Sequence, residues 1–328
     1  MATVLITGAN SSMGIPAVGY LLSKHPTCTA VLTVRNDSDD DPNTAKLRAV
    51  IAQHPTAKFT IHKLNLASLA AVRKFADEIR DKIAASRLPK IVAAIWIAMS
   101  WTLNAGLGFT EDGYERSIAI NHIAHFSLTL RLLEFFDPAN GRIIFLSSDS
   151  HDKSDLQEFR SALPAPENLV LLVHPPPDKE GEVVARGFQR YGLSKLAVVM
   201  CMYELRRRIK EHLSSISVLA VDPGGLLDSR AFYPPNVPYS MYIKICIVNW
   251  LQPILKYLSP IFRRSADAAK DVIDLALDQK YVGQDGYFMG TSKGESSTQS
   301  RNEDMQQRLW DKSLEWSRIS TGDTVLKI

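Results

Sequence analysis

The sequence predicts an α/β fold: a Rossmann-like, doubly wound parallel sheet in a single domain over residues 1–328, with an apolar substrate lid. Three observations predict it. Short, continuous Val/Ile/Leu runs recur along the first two-thirds of the chain. Segments of helical periodicity separate them. A glycine-rich turn joins the first apolar run to the first helical segment. Unbroken apolar runs suit strands buried on both faces, and right-handed crossovers wind such a sheet in two directions.

Each element follows in order. Thr3–Thr7 reads as a buried strand and Met13–Lys24 as the helix after it. Ala30–Arg35 is the second strand, and Asn43–Gln53 a helix with Pro42 as its start signal. Lys58–Lys63 is the third strand, followed by a helix over Ser68–Ser86. Ile91–Ile97 is the fourth strand, and Gly113–Phe136 a long helix. Arg142–Ser147 is the fifth strand, Phe188–Lys210 another long helix, and Ser217–Val221 the sixth strand. Two stretches break the alternation. One is a polar, proline-bearing insertion at about 149–186. The other is an apolar, aromatic segment at about 226–264. Long connections of this kind are usually functional or disordered.

Composition narrows the function classes. Of 328 residues, 38 are basic and 35 acidic, for a net charge of +3. That balance offers no bulk positive footprint for nucleic acid. Cys28, Cys201 and Cys246 lie far apart and form no zinc or disulfide spacing, which suggests a reducing compartment. The chain opens with no basic segment ahead of its first apolar run, so no secretory signal is predicted, and the expected location is cytoplasmic. The stretch Tyr239–Phe262 is interrupted by Lys244, Asn249, Gln252, Pro253 and Lys256. It is no membrane span, which needs about 20 mostly apolar residues, but peripheral contact with a membrane stays open.

The turn after the first strand reads Thr7-Gly8-Ala9-Asn10-Ser11-Ser12-Met13-Gly14. Glycines there let backbone N–H groups approach a pyrophosphate, and the helix N-terminus adds its positive dipole end. Together with Tyr191-Gly192-Leu193-Ser194-Lys195, this turn resembles the short-chain dehydrogenase/reductase family, with its TGxxxGxG and YxxxK patterns. Gly8 and Gly14 match the outer glycines, while Ser12 replaces the middle one.

What the resemblance implies can be placed residue by residue. Thr7, Gly8, Asn10, Ser11, Ser12, Met13 and Gly14 would hold a dinucleotide. Arg35, after the second strand, favours the 2′-phosphate of NADP(H) over NAD. Asn65 and Leu66 resemble the adenine-contacting pair. Pro223, Gly224, Leu226 and Ser229 resemble the segment beside the nicotinamide, with Asp228 at the usual threonine position. Tyr191 would be the general acid/base, Lys195 its pKa-lowering partner and ribose ligand, Ser148 the carbonyl binder and Asn121 the holder of a relay water. Ser150, Phe188 and Phe232 would meet substrate.

Phenol and ammonium four residues apart share a helical face. Bringing a tyrosine from about 10 to about 7 takes roughly 4 kcal/mol. One cation about 4 Å away supplies that order of energy. Tyr20-Leu21-Leu22-Ser23-Lys24 matches the same spacing, but its place in the helix after the phosphate turn makes it a packing element. His122 and His125 have no third ligand beside them, so helix packing, not a metal, is expected.

One departure concerns the fourth strand, which the family ends in Asn-Asn-Ala-Gly. Here Asn104-Ala105-Gly106 lies seven residues past Ile97, and Ile97 falls at the usual asparagine position. An isoleucine cannot brace the strand ends through an amide. The tail segments Gly286-Tyr287-Phe288-Met289 and Arg308 to Trp316 resemble long fungal members, which implies a terpenoid, meroterpenoid or polyketide substrate. Phe188, Phe232, Tyr233, Tyr239, Tyr242 and Trp250 are expected to line an apolar pocket. The predicted activity is NADP(H)-dependent ketone/alcohol interconversion. Ser12 and Ile97 motivate an alternative, enolisation or isomerisation of a polycyclic ketone without net redox change. A silent NADP-binding regulator is a third reading. Relatives imply a homodimer or homotetramer through the two long helices.

Overall fold

The computed structural model describes residues 2–101, 103–152, 164–258 and 262–328, with side chains left aside at 166 and 252–262. Its centre is an eight-stranded sheet in the order β10-β9-β6-β5-β4-β1-β2-β3. The strands are β1 (Thr3–Thr7), β2 (Thr29–Val34), β3 (Lys58–Lys63), β4 (Ile91–Trp96), β5 (Arg142–Leu146), β6 (Ser217–Asp222), β9 (Gly286–Met289) and β10 (Ser292–Lys293). All pair in parallel except β10, which runs antiparallel on β9. A separate two-stranded ribbon pairs β7 (Gly225–Leu226) with β8 (Phe262–Arg263).

Helices cover both faces because each central strand buries both sets of side chains. In β1, Val4 and Ile6 face α1 (Gly14–Lys24), α2 (Pro42–Ile51) and α8 (Ser265–Leu277), whereas Leu5 faces the opposite core. That core is built on α3 (Leu69–Ala84), α5 (Ala124–Leu132), α6 (Val183–Ile209) and α9 (Glu303–Ser317). The β3 edge is only partly covered. Its lysines, Lys58 and Lys63, stand exposed where they deter edge-to-edge pairing.

The six expected strands and their helices form within a few residues of their predicted bounds. The helix before β5 is not uniform, however: α4 (Arg116–Ile118) passes through a π-helical turn (Ala119–Ile123) into α5. The helix expected from Phe188 begins at Val183. The expected lid segment contains the long helix α7 (Tyr239–Leu258). Beyond it, α8, β9, β10 and α9 extend the sheet and its covers past the alternating pattern. Asp228 has a structural job here. Its carboxylate accepts from Ser265 N at 3.0 Å and Ser265 Oγ at 2.7 Å, capping α8. Of the 149–186 insertion, residues 153–163 lie outside the described residues. The rest holds two 3-10 turns, Asp149–His151 and Pro166–Leu172.

Candidate active site

The carboxyl ends of β1, β4, β5 and β6 converge, which is where open α/β sheets bind ligands. A cleft of about 780 Å³ at the opposite end, lined by Thr29, Lys58, Phe59, Ile83 and Pro89, holds none of the expected site residues.

The glycine turn is closely packed. Gly8 has φ +65°, and a Cβ there would meet Ala98 Cα at 2.9 Å; a Cβ on Gly14 would meet Gly8 O at 2.2 Å. Neither position tolerates a side chain. Ser11 Oγ accepts from Gly14 N at 2.9 Å, and Asn10 Nδ2 donates to Thr44 Oγ1 at 3.0 Å. Ser12 Oγ accepts from Arg230 N at 3.0 Å, and the Arg230 guanidinium donates to Asn10 O at 2.6 Å. The segment after β7 therefore straps the turn, and the hydroxyl expected to reach a diphosphate holds that strap. Met13 is buried, and Arg35 is exposed at the end of β2.

Thr7 begins a one-way chain of hydrogen bonds. Ala98 N donates to Thr7 Oγ1 at 3.2 Å; Thr7 Oγ1 and His125 Nε2 are 3.1 Å apart; His125 Nδ1 lies 3.2 Å from Asn121 O. A carbonyl only accepts, so Nδ1 carries the proton and Nε2 accepts from Thr7. Burial drives the His125 pKa down to about 3, which keeps the ring neutral in this role. His122 falls to about 3 for the same reason, and its Nε2 pairs with Ser313 Oγ at 2.7 Å.

Asn121 sits in the π-helical turn and is buried. Its Oδ1 accepts from Ser100 N at 2.6 Å, and its Nδ2 donates to Ser100 O at 3.1 Å and Ser194 Oγ at 2.9 Å. Both amide hydrogens are spent on protein groups, so the side chain ties the loop after β4 to the Tyr-Lys helix. Ile97 packs in the core. The bracing it cannot give comes from Thr7–His125 and Asn121–Ser100 instead. Asn104-Ala105-Gly106 lies in the following loop, where Leu103 N and Asn104 N both donate to Asn236 O.

Tyr191 and Lys195 share a face of α6 and are both buried. Burial pushes the Tyr191 phenol above its ordinary range, and a hydrogen bond with Ser148 counters this in part. The Lys195 ammonium lies 5.6 Å from the Tyr191 ring centre and donates to Leu146 O at 2.7 Å. Burial lowers it to about 8, with Asp222 opposing. Desolvation is the largest influence on the phenol and sets the direction of its shift. Arg190, next to Tyr191, pairs with Asp178 at 2.5 and 3.0 Å and fixes the insertion against α6.

Above the phenol lies the loop after β4. Met99 Sδ is 3.8 Å from the Tyr191 hydroxyl. Trp101 stands edge-on to Tyr191 at 4.4 Å, Phe188 at 5.1 Å and Phe232 at 5.6 Å. Trp101 Nε1, Ser147 Oγ and Ser150 Oγ are buried with no hydrogen-bond partner among the described residues. Phe188 and Phe232 thus reach the site. Tyr233, Tyr239 and Trp250 do not line a pocket; they are 44%, 68% and 80% exposed. Tyr242 packs edge-on to Tyr233 at 5.4 Å.

Other expected contacts have local duties. Ser229 Oγ accepts from Ala231 N, Asn65 Oδ1 accepts from Ala67 N, and Leu66 is buried in the core. Gly224 takes φ +82° after Pro223, and Leu226 pairs with Arg263 in the ribbon. Trp101 and Arg230 escaped sequence reading. A lone tryptophan in a loop and a lone arginine after a serine carry no spacing signal.

A family model for short chain dehydrogenase matches residues 2–157, and one for the AcuH dehydrogenase domain matches residues 232–326. The chain belongs to the short-chain dehydrogenase/reductase family. Among curated members, it is 28% identical to short-chain dehydrogenase iccH of Talaromyces variabilis, over 99% of this chain and 98% of that one. It is 25% identical to polyprenol dehydrogenase of Danio rerio, over 94% of this chain and 84% of that one. Among solved structures it matches BdcA in complex with NADPH at 16% identity and TM-score 0.55, over 90% of this chain and 96% of that one; this likeness concerns the fold. As a short-chain dehydrogenase/reductase, the chain is an oxidoreductase of a family that uses a nicotinamide cofactor.

Proposed function

We propose that this short-chain dehydrogenase/reductase reduces a ketone to a secondary alcohol on a bulky, apolar secondary metabolite of the terpenoid, meroterpenoid or polyketide kind, using NADPH. The observation that carries the proposal is a buried phenol, Tyr191, beside Ser148 at the strand ends, with Lys195 beneath it and an aromatic cage above.

The residues present fit the cofactor. The turn admits only glycine at residues 8 and 14, and Arg230 sets a cation against it. Exposed Arg35 suits a 2′-phosphate, and a fold neighbour of known structure carries NADPH. Thr7 to Gly14, Asn65, Leu66 and the Pro223–Ser229 segment would hold it, and it would supply the hydride.

The chain's own work concerns the proton and the oxygen. Ser148 donates to the carbonyl oxygen. Tyr191 gives its proton to the alkoxide that develops there. Burial keeps the phenol protonated, as a proton donor in the reductive direction needs to be. Lys195, held by Leu146 O, places a cation under the ring. Asn121 acts through position, locking Ser194 and Ser100 on either side of Tyr191. The unpaired Ser147, Ser150 and Trp101 donors offer hydrogen bonds to a substrate oxygen. The polyprenol dehydrogenase relative supports a large apolar alcohol or ketone. Membership in an oxidoreductase family favours the redox reading over the non-redox alternative.

The test is label transfer. With NADPH deuterated at nicotinamide C4 and a panel of polycyclic ketones, deuterium is expected on the carbinol carbon, with one NADPH consumed per product. Product formed with no NADPH consumed would overturn the reading. For the strap, Arg230→Ala is expected to weaken NADPH binding about tenfold by calorimetry, the loss of roughly one charge-assisted hydrogen bond. Unchanged affinity would remove Arg230 from the binding site.

A further inference from the structure

The helix α7 carries its apolar side chains outward. Along Tyr239–Leu251, none of the side chains is fully buried. Tyr239, Ile243, Ile247 and Trp250 are exposed by 68%, 44%, 55% and 80%. Their spacing of four, four and three residues places them on one face of the helix. Lys244 and Cys246 are exposed among them. Ordinary surface helices turn such a stripe inward, and a contiguous exposed one marks an interaction site.

Charge identifies the partner. From Ser229 to Arg264 the sequence contains five basic residues and no Asp or Glu, in a chain that is otherwise nearly balanced. Arg230 is held by Asn10 O and Arg263 pairs with Asp271, which leaves Lys244 and Arg264 as exposed cations among the described residues of the segment. Apolar residues with Trp and Tyr at their margins, and cations without acids, are the chemistry of a helix lying in the interface of an anionic bilayer. A protein partner of mixed charge would be met by mixed charge. Among the described residues, no helix is long and apolar enough to cross a membrane, so the contact would be in the plane.

The stripe is continuous with the site. Tyr239 and Tyr242 are ring neighbours at 5.9 Å, and Tyr242 meets Tyr233 at 5.4 Å. Tyr233 follows Phe232, which packs on Trp101 above Tyr191. We propose that the outer face of α7 docks the protein on an anionic lipid surface, with the aromatic entrance of the site turned toward the lipid. This inference does not depend on the redox reading.

The experiment is flotation of the full-length protein with vesicles of phosphatidylcholine alone or with about one-third phosphatidylserine, a fraction that gives a strong negative surface potential. Binding is expected to the anionic vesicles, weakened by high salt. The double variant Ile247→Ser/Trp250→Ser is expected to lose about tenfold in partitioning. Lys244→Glu is expected to lose several-fold, because it reverses a surface cation. Thermal unfolding should not move for any of them, because these side chains are exposed. Light scattering provides the counter-test. No vesicle binding, binding indifferent to the double variant, or a dimer that the double variant converts to monomer without any lipid binding would each overturn the proposal; the last would assign the face to a second copy.

Discussion

Tyr20/Lys24 and Tyr191/Lys195 share one spacing and have opposite surroundings. Tyr20 donates to Asp274 Oδ1 at 3.0 Å, and Lys24 reaches Asp274 at 2.7 Å and Asp278 at 3.0 Å, tying α1 to α8 at the surface. Those carboxylates raise the Lys24 pKa. Lys195 donates to the Leu146 carbonyl at 2.7 Å, and burial lowers it to about 8 against the pull of Asp222. Four-residue spacing puts a phenol and an ammonium on one face; it does not say whether that face meets solvent, carboxylates or a buried strand end. The second pair is set apart by desolvation and by Ser148, Asn121 and Trp101, all contributed by distant segments.

The comparison is broken most severely at the tyrosines. Tyr191→Phe should cut turnover by about a thousandfold or more, since a positioned acid contributes roughly that much, while NADPH binding by calorimetry persists. Tyr20→Phe should leave turnover within about twofold and cost about 1 kcal/mol of stability, the worth of one hydrogen bond. Equal losses of turnover would erase the distinction.

The lysines sharpen it through pH. The folded pKa of Lys195 lies below that of an unfolded lysine, so the unfolded chain binds more protons between about 8 and 10.5. The cost of burying it is therefore full below pH 8 and relieved as pH rises. Relative to Lys195→Met, the wild type should gain about 3 kcal/mol over that window in urea unfolding. Lys24→Met should change stability by less than about 1 kcal/mol, as for exposed pairs. A flat wild-type-minus-Lys195→Met difference would contradict the buried assignment.

The buried side of the contrast extends to His122 and His125. Their folded pKa values lie below the unfolded value of about 6.5, so their stabilisation is complete above 6.5 and lost as pH falls toward 3. Two protons give a slope of about 2.7 kcal/mol per pH unit. Replacing either residue with Asn should remove about half of the slope in acid denaturation.

What the sequence revealed follows the same division. The first six strands were legible because each is a short apolar run bounded by turn residues, and the phosphate turn was legible because Gly8 and Gly14 are steric necessities. Helix α8 lies past the alternating pattern, and its buried face mixes Ala268, Ala269 and Ala276 with Val272, Ile273 and Leu275. Helix α7 misled because its aromatics suggested a pocket, whereas they face outward. At the site, Asn121, Ser148, Tyr191 and Lys195 were named through the family resemblance. Their present bonds, to Ser100 and Ser194 or to Leu146, join residues 21 to 73 positions apart, and no local pattern encodes them. Arg230 meets a turn 218 residues earlier for the same reason.

The claim that burial sets Tyr191 apart is tested most directly by titrating tyrosinate absorbance in the wild type and in Tyr191→Phe, both without cofactor. The difference curve should show one phenol ionising above the ordinary tyrosine value of about 10, as its desolvated position requires. A difference curve centred at or below 10 would contradict the account.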